Sequence, residues 1–312
     1  MDASIVIANW NGAKLLRKCL PPVIEAAARS GGDHEIIVVD DASEDDSVAV
    51  IEKEFPAVRL VKLPVNHGFA AACNKGVAES RNPVVVLLNT DMAVKEDFLS
   101  PLLAPFAASD VFAVAGRIEK LGGRTLEIGR TVGKFSLIFV KFIRSGEEGE
   151  TGECLPTLAA SGGASAFRRE KYLKLGGFDR LYYPFYWEDA DLSYRAWKRG
   201  WRVLYQPRSV VFHQHQGTIG AFFPQSYIKA IYYRNKFLFT WKNISDAGCL
   251  ARHFLLLIPY LAAVTLLGKF HYLRGLWLAL REIPAVLRRR EEERRHRKRT
   301  DKEVFRLVFG RR

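Results

Sequence analysis

The chain has 312 residues, of which 48% are hydrophobic and 26% charged, and these proportions exclude a disordered, a collagen-like and a polytopic membrane protein. Its four cysteines are scattered, without the short spacings of a zinc site or a disulfide framework, so we expect a reducing compartment. The net charge is +13, and residues 288–312 alone carry 12 Lys or Arg against 5 Asp or Glu, which indicates contact with an anionic surface such as lipid headgroups or nucleic acid.

The first part of the chain alternates between strand-like and helix-like segments. Runs of apolar and β-branched residues predict strands at residues 4–8, 35–39, 58–63 and 84–88. Helical periodicity predicts helices between them, at residues 13–29, 47–55 and 70–80. Strands that alternate with helices are typical of βαβ units. The sequence therefore predicts an α/β fold with a Rossmann-like, mostly parallel sheet flanked by helices.

The second half of the chain is less regular. Residues 122–153 mix glycines, charges and aromatic residues, and they predict a hairpin or a mobile loop. Residues 161–168 are mostly small and predict a flexible segment. Helices follow at residues 170–175 and 189–199, and strands at 201–205 and 209–212.

The longest apolar run covers the 15 residues 254–268 and is interrupted by Pro259. A membrane-spanning helix needs about 20 such residues, so this run is too short to span a bilayer. An amphipathic stretch follows at residues 272–287 and carries Trp277. The pair predicts a re-entrant or interfacial hairpin, and a buried core helix is the alternative.

Polar or aromatic residues follow three of the predicted strands. Trp10 comes after the first strand, Asp40 and Asp41 after the second, and Asp91 after the fourth. The carboxyl ends of parallel strands share one edge of the sheet, where such sheets bind ligands. A flat ring beside a carboxylate suits a uracil or thymine base, and a further carboxylate suits a divalent cation that bridges a diphosphate. Each acid alone could instead cap a helix or form a turn.

Three acids, Glu188, Asp189 and Asp191, lie within four residues at the start of a predicted helix. Like charges so close together should raise the pKa of at least one of them. A carboxylate within reach of an acceptor hydroxyl can act as the general base of a displacement reaction. The alternative is a negatively charged helix N-terminus that matches the helix dipole.

Several segments form an ordered series of motifs over residues 3–215. They are IVIANWNG at 5–12, VVDDASED at 38–45, NHGFAAACNKG at 66–76, LLNTD at 87–91, GGASAFR at 162–168, GGFD at 176–179, WEDAD at 187–191, and Pro207 six residues before His213. In order and spacing they resemble the motifs of family 2 glycosyltransferases, especially the rhamnosyltransferase-like bacterial members. The resemblance implies a glycosyltransferase A-type fold, an inverting reaction and a divalent cation, Mg²⁺ or Mn²⁺.

The resemblance also implies how the donor is held. Trp10 and Asp41, with Asp40 adjacent, would hold the pyrimidine. Asn66 and Asn74 would line the nucleotide-sugar pocket.

The metal and the base follow from the same resemblance. Asp91 would bind the metal, His213 would be its distal ligand, and Asp189 would be the general base. The family has an aspartate where this chain has Asn89, which would still face the donor. Asparagine coordinates only through a neutral carbonyl, so we expect weak metal affinity and a cation that arrives with the sugar nucleotide.

Other residues near these motifs have weaker signals. Gly162 and Gly163 allow close approach of a sugar, and Trp187 is a candidate for stacking on the sugar or acceptor. The neighbouring Tyr183, Phe185 and Tyr186 are expected to pack in the core. His213 and His215 alternate on a strand and face opposite ways, and the spacing from Pro207 selects His213 as the ligand.

We therefore expect a catalytic domain at residues 1–245, with a nucleotide-sugar-binding half at 1–118 and an acceptor and catalytic half at 119–245. Residues 246–312 would form a membrane-associating appendage. The predicted enzyme transfers a hexosyl or rhamnosyl group from a UDP- or dTDP-sugar to a saccharide acceptor, a polyprenyl-diphosphate-linked one included, in bacterial cell-surface polysaccharide assembly.

No signal peptide precedes the first strand, so we expect a peripheral or monotopic protein on the cytoplasmic face of the inner membrane. A nucleotide-sugar-binding protein without transfer activity is the alternative. A Rossmann dehydrogenase is disfavoured, since no glycine-rich fingerprint follows the first strand, and no nucleic acid partner is expected.

Overall fold

The computed structural model describes residues 1–122, 125–145, 152–214, 220 and 222–309. Its strands are β1 (Ala3–Asn9), β2 (Glu35–Asp40), β3 (Arg59–Lys62), β4 (Val84–Asn89), β5 (Met92–Val94), β6 (Val111–Lys120), β7 (Leu126–Ile128), β8 (Thr131–Ser136), β9 (Phe139–Arg144), β10 (Leu155–Pro156), β11 (Ala164–Arg168) and β12 (Arg202–His213).

The helices follow the same chain order. They are α1 (Ala13–Ser30), α2 (Ser47–Glu54), α3 (Phe69–Glu79), α4 (Leu99–Leu103), α5 (Arg169–Lys174), α6 (Glu188–Lys198), α7 (Gln225–Asn243), α8 (Ala247–Leu266), α9 (His271–Leu280), α10 (Ile283–His296) and α11 (Asp301–Phe309). Two short 3₁₀ segments lie at Ala104–Ala107 and Arg180–Tyr182.

Within the described residues, one large sheet has the strand order β10-β12-β6-β11-β4-β1-β2-β3, with β5 beside β12 and β7 beside β6. The pairs β4–β1, β1–β2, β2–β3 and β6–β12 are parallel, whereas β11 runs antiparallel to both of its neighbours. Strands β8 and β9 form a separate antiparallel hairpin. The predicted mostly parallel α/β sheet is thus confirmed.

The sheet is buried on both faces, which explains its nearly continuous apolar strands. On β1, Ile5 and Ile7 belong to the core that includes α1 and α4, and Val6 belongs to the opposite core with α3. A Cβ atom at Gly76 of α3 would lie 2.3 Å from a methyl group of Val6, so glycine is what lets α3 approach the sheet this closely. Residues of α7 to α11 extend the same second core.

Several predictions for the second half are corrected. The segment at 161–168 is expected to be flexible, but its residues 164–168 form β11, a central strand between β4 and β6. The two strands expected at 201–205 and 209–212 are one strand, β12, with a register shift between Gln206 and Val210. The predicted hairpin within 122–153 exists as β8 and β9, and residues 146–151 lie outside the described part of the chain.

The C-terminal helices correct two expectations for the apolar run, that it is too short to span a bilayer and that it could pack as a core helix. Helix α8 has 20 residues, longer than the 15-residue apolar run. In the described part of the chain it is the one helix long and apolar enough to cross a membrane, by length and composition alone. Only 17% of its most apolar 18-residue stretch is buried in the protein. The alternative of a buried core helix is therefore wrong.

Candidate functional site

The carboxyl ends of β1, β2 and β4 lie side by side, as parallel pairing requires. Asn9 at the end of β1 is in register with Asp40 on β2, and Ala8 is in register with Asn89 on β4. The polar residues after these strands therefore share one edge of the sheet, where the amino ends of the connecting helices also lie.

Asp40 does not face a ligand, contrary to the expectation that it helps hold the pyrimidine. It is 2% exposed, and it accepts hydrogen bonds from Asn9 Nδ2 at 2.8 Å, Ser43 N at 3.0 Å and Ser43 Oγ at 2.6 Å. These donors fix the turn after β2, because a buried carboxylate is stable only when its oxygens are satisfied.

Asp41 holds the next loop in place. Its two carboxylate oxygens accept hydrogen bonds from His67 N at 2.8 Å and Gly68 N at 2.7 Å. The loop that Asp41 orders carries the exposed Asn66 and leads directly into α3. Trp10 is half-buried on the neighbouring strand end, with its ring centroid 4.9 Å from that of Phe222.

Asn74 is also a positioning residue rather than a lining residue of the donor pocket. Its Oδ1 accepts hydrogen bonds from Phe178 N at 2.9 Å and Tyr172 Oη at 2.8 Å, and its Nδ2 donates to Phe178 O at 2.8 Å. A Cβ atom at Gly177 would lie 2.3 Å from Asn74 Oδ1, and Gly177 has φ +69°. The side chain therefore ties α3 to the GGFD turn, and its polar atoms are used for that purpose.

The predicted metal ligands Asp91 and His213 are brought together, although they are 122 residues apart. Asp91 Oδ2 lies 3.0 Å from His213 Nε2, and both side chains are mostly buried. Strand β5 pairs with the end of β12, and this pairing places Met92 opposite His213. The histidine predicted to face away, His215, lies outside the described residues.

Sequence reasoning missed Glu127 on β7. Its Oε1 lies 2.9 Å from His213 Nδ1, so the imidazole is held between two carboxylates. Burial lowers the pKa of His213, but the hydrogen bond to Glu127 and the charge of Asp91 outweigh this effect and raise it. In the sequence Glu127 is an isolated acid in an irregular segment, and such a position does not reveal which residue it contacts.

Two oxygens at this edge suit a cation. Asp91 Oδ1 and Asn89 Oδ1 are buried, and neither has a hydrogen-bond partner among the described residues. Unsatisfied buried acceptors are costly unless something coordinates them. No group of three or more His, Cys, Asp or Glu in the described ranges is arranged to hold a metal. The residues therefore fit a divalent cation that takes few protein ligands, with the remaining positions left for a diphosphate.

Asp189 lies in the first turn of α6, across from the same edge. Its Oδ2 accepts from Gly162 N at 3.3 Å, and its Oδ1 accepts from Ala190 N at 2.7 Å. Burial raises the pKa of Asp189, although these backbone hydrogen bonds oppose the rise. A carboxylate with a raised pKa and a fixed orientation is suited to accept a proton.

The neighbouring Glu188 has a different environment. Its Oε2 is buried and accepts no hydrogen bond from any described residue. Burial, together with the charge of Asp189, raises the pKa of Glu188 to about 8. Burial thus favours the protonated form of Glu188 beside the carboxyl group of Asp189.

Gly162 and Gly163 join these two parts of the site. Gly162 N donates to Asp189, and Gly163 O accepts from Asn89 N at 3.1 Å. A Cβ atom at Gly163 would lie 2.6 Å from Asn89 Nδ2, so the backbone passes directly against the side chain of Asn89. One dipeptide thus fixes α6 relative to the strand end that carries Asn89.

Asp191 is not part of this site, which corrects the expectation of a catalytic role. It is 0% exposed and accepts from Arg195 Nε at 2.7 Å, Lys242 Nζ at 2.8 Å, Asn243 Nδ2 at 2.8 Å and Tyr182 Oη at 2.9 Å. Burial alone would raise the pKa of Asp191, but the charges of Lys242 and Arg195 hold it far below its usual range. The carboxylate is the centre of a buried ionic cluster.

Trp187 is also corrected. It is 7% exposed, and its ring packs against Phe239 at 5.1 Å, Phe142 at 5.5 Å and Tyr232 at 5.7 Å between centroids. It therefore belongs to the core and is not placed to stack on a sugar. Phe185 is buried as expected.

The opposite error concerns Tyr183 and Tyr186, which were expected in the core. They are 51% and 38% exposed on the loop that precedes Glu188. This loop has positive φ at Tyr186 and Trp187, where non-glycine residues are strained.

Helix α7 holds the strained loop, and sequence reasoning missed the two residues that do so. Asn235 Nδ2 donates to the carbonyls of Tyr182, Phe185 and Tyr186 at 2.9 to 3.0 Å. Arg234 donates to the carbonyls of Leu181 at 3.1 Å and Tyr183 at 2.6 Å. The loop before the base is therefore over-determined by α7.

Comparison with known proteins gives consistent results. The model of the family described as "Glycosyl transferase family 2" matches residues 4–176, just over half of the chain. An uncharacterized glycosyltransferase of Nostoc sp., alr2836, is 29% identical over 202 residues, which cover 62% of this chain and 59% of that protein. The chain thus spans less than two thirds of the length of this curated relative.

Two solved structures share the fold. GalNAc-T7 with UDP, GalNAc and Mn²⁺ has a TM-score of 0.59 at 19% identity, covering 79% of this chain and 48% of that one. Residues 1-349 of S. aureus TarS in complex with UDP-GlcNAc also have a TM-score of 0.59, at 15% identity, covering 99% of this chain and 90% of that one.

Proposed function

This chain belongs to glycosyl transferase family 2 and has a glycosyltransferase A-type fold, and on that premise we propose that it transfers a sugar from a UDP- or dTDP-sugar to a saccharide acceptor, with inversion at the anomeric carbon. The observation that carries this proposal is the Gly162–Gly163 connection. It holds the carboxylate of Asp189 opposite the strand end that bears Asn89 and Asp91.

In the proposed reaction Asp189 is the general base. The acceptor hydroxyl attacks the anomeric carbon, its proton passes to the carboxylate of Asp189, and the bond from the anomeric carbon to the diphosphate oxygen breaks. The backbone N–H groups of Gly162 and Ala190 hold the carboxylate in one orientation during this step. Burial favours the protonated form of Glu188, and a neutral Glu188 would leave Asp189 as the single negative charge of the pair.

The cofactor in this proposal is Mg²⁺ or Mn²⁺. Asp91, through its unpartnered Oδ1, and His213 would hold the cation, with Asn89 as a neutral oxygen ligand. When bound, the cation stabilises the charge that develops on the departing nucleoside diphosphate. Glu127 orients the imidazole of His213 through its other ring nitrogen.

The donor would lie along the edge that Trp10 and Asp41 define. Asp41 orders the loop from residue 66 to 68 through two backbone hydrogen bonds, and this loop would close against the base and ribose. The structures of GalNAc-T7 and TarS contain UDP or UDP-GlcNAc, which supports a nucleotide-sugar donor for this chain as well.

For the acceptor we propose a saccharide linked to a lipid diphosphate, in the assembly of a bacterial cell-surface polysaccharide, with a rhamnosyl or hexosyl group transferred. The exposed Tyr183 and Tyr186 beside the base offer flat apolar surfaces of the kind that contact sugar rings. The apolar surface of the C-terminal helices supports the lipid part of this proposal.

The decisive experiment screens UDP- and dTDP-sugars for Mn²⁺-dependent protection against thermal unfolding, and then for turnover. For Asp189→Asn we expect turnover to fall by about 10² to 10⁴-fold, because the general base is lost, while donor protection remains. Asp97→Asn, on an exposed surface carboxylate, is the control and should leave both unchanged.

The screen also separates the alternative. Protection by a nucleotide sugar without turnover in the wild type would favour a binding protein that lacks transfer activity. Equal turnover in wild type and Asp189→Asn would refute the assignment of the base, and protection by none of the donors would refute the function itself.

A further inference from the structure

The C-terminal helices expose an unusual amount of apolar surface. Of the large hydrophobic side chains that are exposed in the described part of the chain, those on α8, on α9 and in the connection between them include some of the most exposed: Leu255 at 76%, Ile258 at 78%, Leu266 at 89%, Phe270 at 64% and Trp277 at 52%. Single exposed hydrophobics are ordinary, but a contiguous patch marks an interaction surface.

On α8 the exposed residues form a stripe along the helix. Leu255, Ile258, Ala262 and Leu266 are exposed and follow one another at intervals of three or four residues. His253, Leu261 and Val264 lie on the other side and are buried. The helix is therefore apolar on both faces, but only one face is covered by the part of the protein that the structure describes.

The covered face fixes α8 along the catalytic domain. His253 accepts a hydrogen bond from Trp241 Nε1 at 2.9 Å and contacts the carbonyl of Ile138 through Nδ1 at 2.5 Å. Val264, eleven residues later and about 16 Å along the axis, is also buried. Because the covered face is buried at both points, α8 lies against the rest of the protein and does not project from it as a spanning helix would.

Helix α9 continues the surface and is fixed just as firmly. Tyr272 Oη donates to Tyr233 Oη at 2.6 Å. A Cβ atom at Gly275 would lie 2.9 Å from the backbone nitrogen of Arg234, so α9 and α7 pack at backbone contact. The exposed Trp277 lies on the outer side of α9, with the guanidinium of Arg281 3.4 Å from its ring centroid.

Cations are interspersed along the chain with the exposed apolar residues. Residues 247–290 contain 7 Lys or Arg against the single acid Glu282, a surplus of +6. Five of these cations, Arg252, Lys269, Arg274, Arg281 and Arg288, are exposed. Glu282 is engaged by Arg234 at 3.2 Å and does not offset them at the surface. Apolar side chains rimmed by long cationic ones match the layered chemistry of an anionic bilayer surface.

We propose that α8 and α9 lie in the plane of an anionic membrane, with Leu255, Ile258, Leu266, Phe270 and Trp277 inserted into one leaflet and no segment crossing it. The occupant of this surface is thus a lipid bilayer, and the protein is monotopic. The surface itself does not depend on the proposed transfer reaction.

The membrane placement also bears on the candidate site, and this second step rests on the proposed function. Helix α7 packs against α9 through Tyr233 and Arg234, and the same Arg234, with Asn235, holds the loop from Leu181 to Tyr186. One helix therefore links the membrane surface to the acceptor loop. A lipid-linked saccharide would reach the base while its lipid stays in the leaflet.

The test uses the full chain and preformed vesicles of phosphatidylcholine, with or without phosphatidylglycerol at a ratio of about 2:1, in a sedimentation assay. We expect binding to the anionic vesicles, weakened when salt rises from about 0.1 M to about 1 M because the Debye length falls from about 10 Å to about 3 Å. The double variant Leu255→Ser with Ile258→Ser should weaken binding by about 100-fold, since two inserted side chains are lost.

The control variant is Leu173→Ser, which removes a 42% exposed leucine on α5. It should bind vesicles like the wild type. Equal binding by wild type and double variant, or no binding by either, would overturn the proposal. So would a stable dimer in solution that the double variant dissociates, because the surface would then be covered by a second copy of the chain.

A second measurement distinguishes in-plane from spanning placement. Lys269→Cys, at the exposed connection between α8 and α9, should react with a membrane-impermeant maleimide added outside sealed vesicles, above the background of the wild-type cysteines. Protection until the vesicles are lysed would mean that α8 crosses the bilayer. Protection of the double variant by UDP with Mn²⁺, measured without vesicles, reports separately on the proposed function.

Discussion

The contrast between Asp189 and Asp191 gives the sharpest test of the site. Asp191→Asn removes the negative charge at the centre of the cluster formed with Lys242 and Arg195. The carboxylate accepts four hydrogen bonds, and an amide oxygen cannot replace both carboxylate oxygens while its NH₂ group faces two cations. We therefore expect Asp191→Asn to destabilise the fold.

The size of this effect follows from burial. Removing one partner of a buried ion pair costs about 3–5 kcal/mol, because the remaining charges stay buried without compensation. An unfolding entropy of about 2.1 cal/mol/K per residue gives about 0.65 kcal/mol/K for a chain of this length, so the melting temperature should fall by about 5–8 °C. The folded fraction should still turn over donor within about threefold of the wild-type rate, since Asp191 does not face the site.

The pH dependence of stability provides a second readout. The pKa of Asp191 is lowered in the folded protein, so its contribution is present above the pKa of the unfolded chain and is lost as the pH falls through the folded value. The difference in stability between wild type and Asp191→Asn should therefore shrink below about pH 4.

Thermal unfolding followed by circular dichroism and turnover measured well below the transition would check both expectations, with Asp189→Asn as the matched variant. That variant should keep nearly the wild-type melting temperature and lose turnover. If Asp191→Asn kept the wild-type melting temperature but lost turnover, the structural role of Asp191 would be refuted and a role in the reaction would be supported.

Three further predictions concern the site. Glu188→Gln should become more stable relative to wild type as the pH rises from about 4.5 to about 8, by at most about 1.4 kcal/mol per pH unit. The reason is that the unfolded wild-type chain releases the proton that folded Glu188 retains, and a melting-temperature difference that does not change with pH over this range would contradict it. Glu127→Gln should weaken Mn²⁺-dependent binding of UDP by about 10 to 100-fold in calorimetry, since the imidazole loses its orienting carboxylate, while metal-independent binding stays unchanged. Gly163→Ala should displace Asn89 and weaken the Mn²⁺-dependent binding of UDP more than Gly162→Ala does, because the added Cβ of the latter would only meet the ring of Phe69 at 3.2 Å. Equal affinities of the two variants would argue against Asn89 as a ligand of the cation.

The order of elements was predictable because the signals are local. Uninterrupted apolar runs such as residues 84–88 predict strands buried on both faces, and their alternation with helical periods predicts parallel pairing. Parallel pairing then places Asn9, Asp40 and Asn89 at one edge without further information. The segment at 161–168 failed this procedure, because small residues next to a site form a central strand as readily as a loop.

The residue-level errors share one physical cause: a sequence pattern gives a side chain's direction relative to its own element, not what lies opposite. Asp189 and Asp191 are two positions apart on α6, about 200° around the helix, and it is the contact with Lys242 on α7 that shows which of them is held in an ion pair. In the same way, Trp187 is buried while the adjacent Tyr186 is exposed. Both have a strained backbone conformation, and α7 holds it through a hydrogen bond to the carbonyl of Tyr186.

The sequence by itself determined the α/β class, the strand ends that carry polar residues, and the acidic motif that contains Asp189. Only the tertiary structure decided which acids face the site, that Glu127 supports His213, and that α8 is covered on one face alone. These facts depend on contacts between residues such as Asp91 and His213, which lie 122 positions apart. Such contacts arise when whole elements pack together. Periodicity shows which face of an element is buried, but it does not show which other element covers that face.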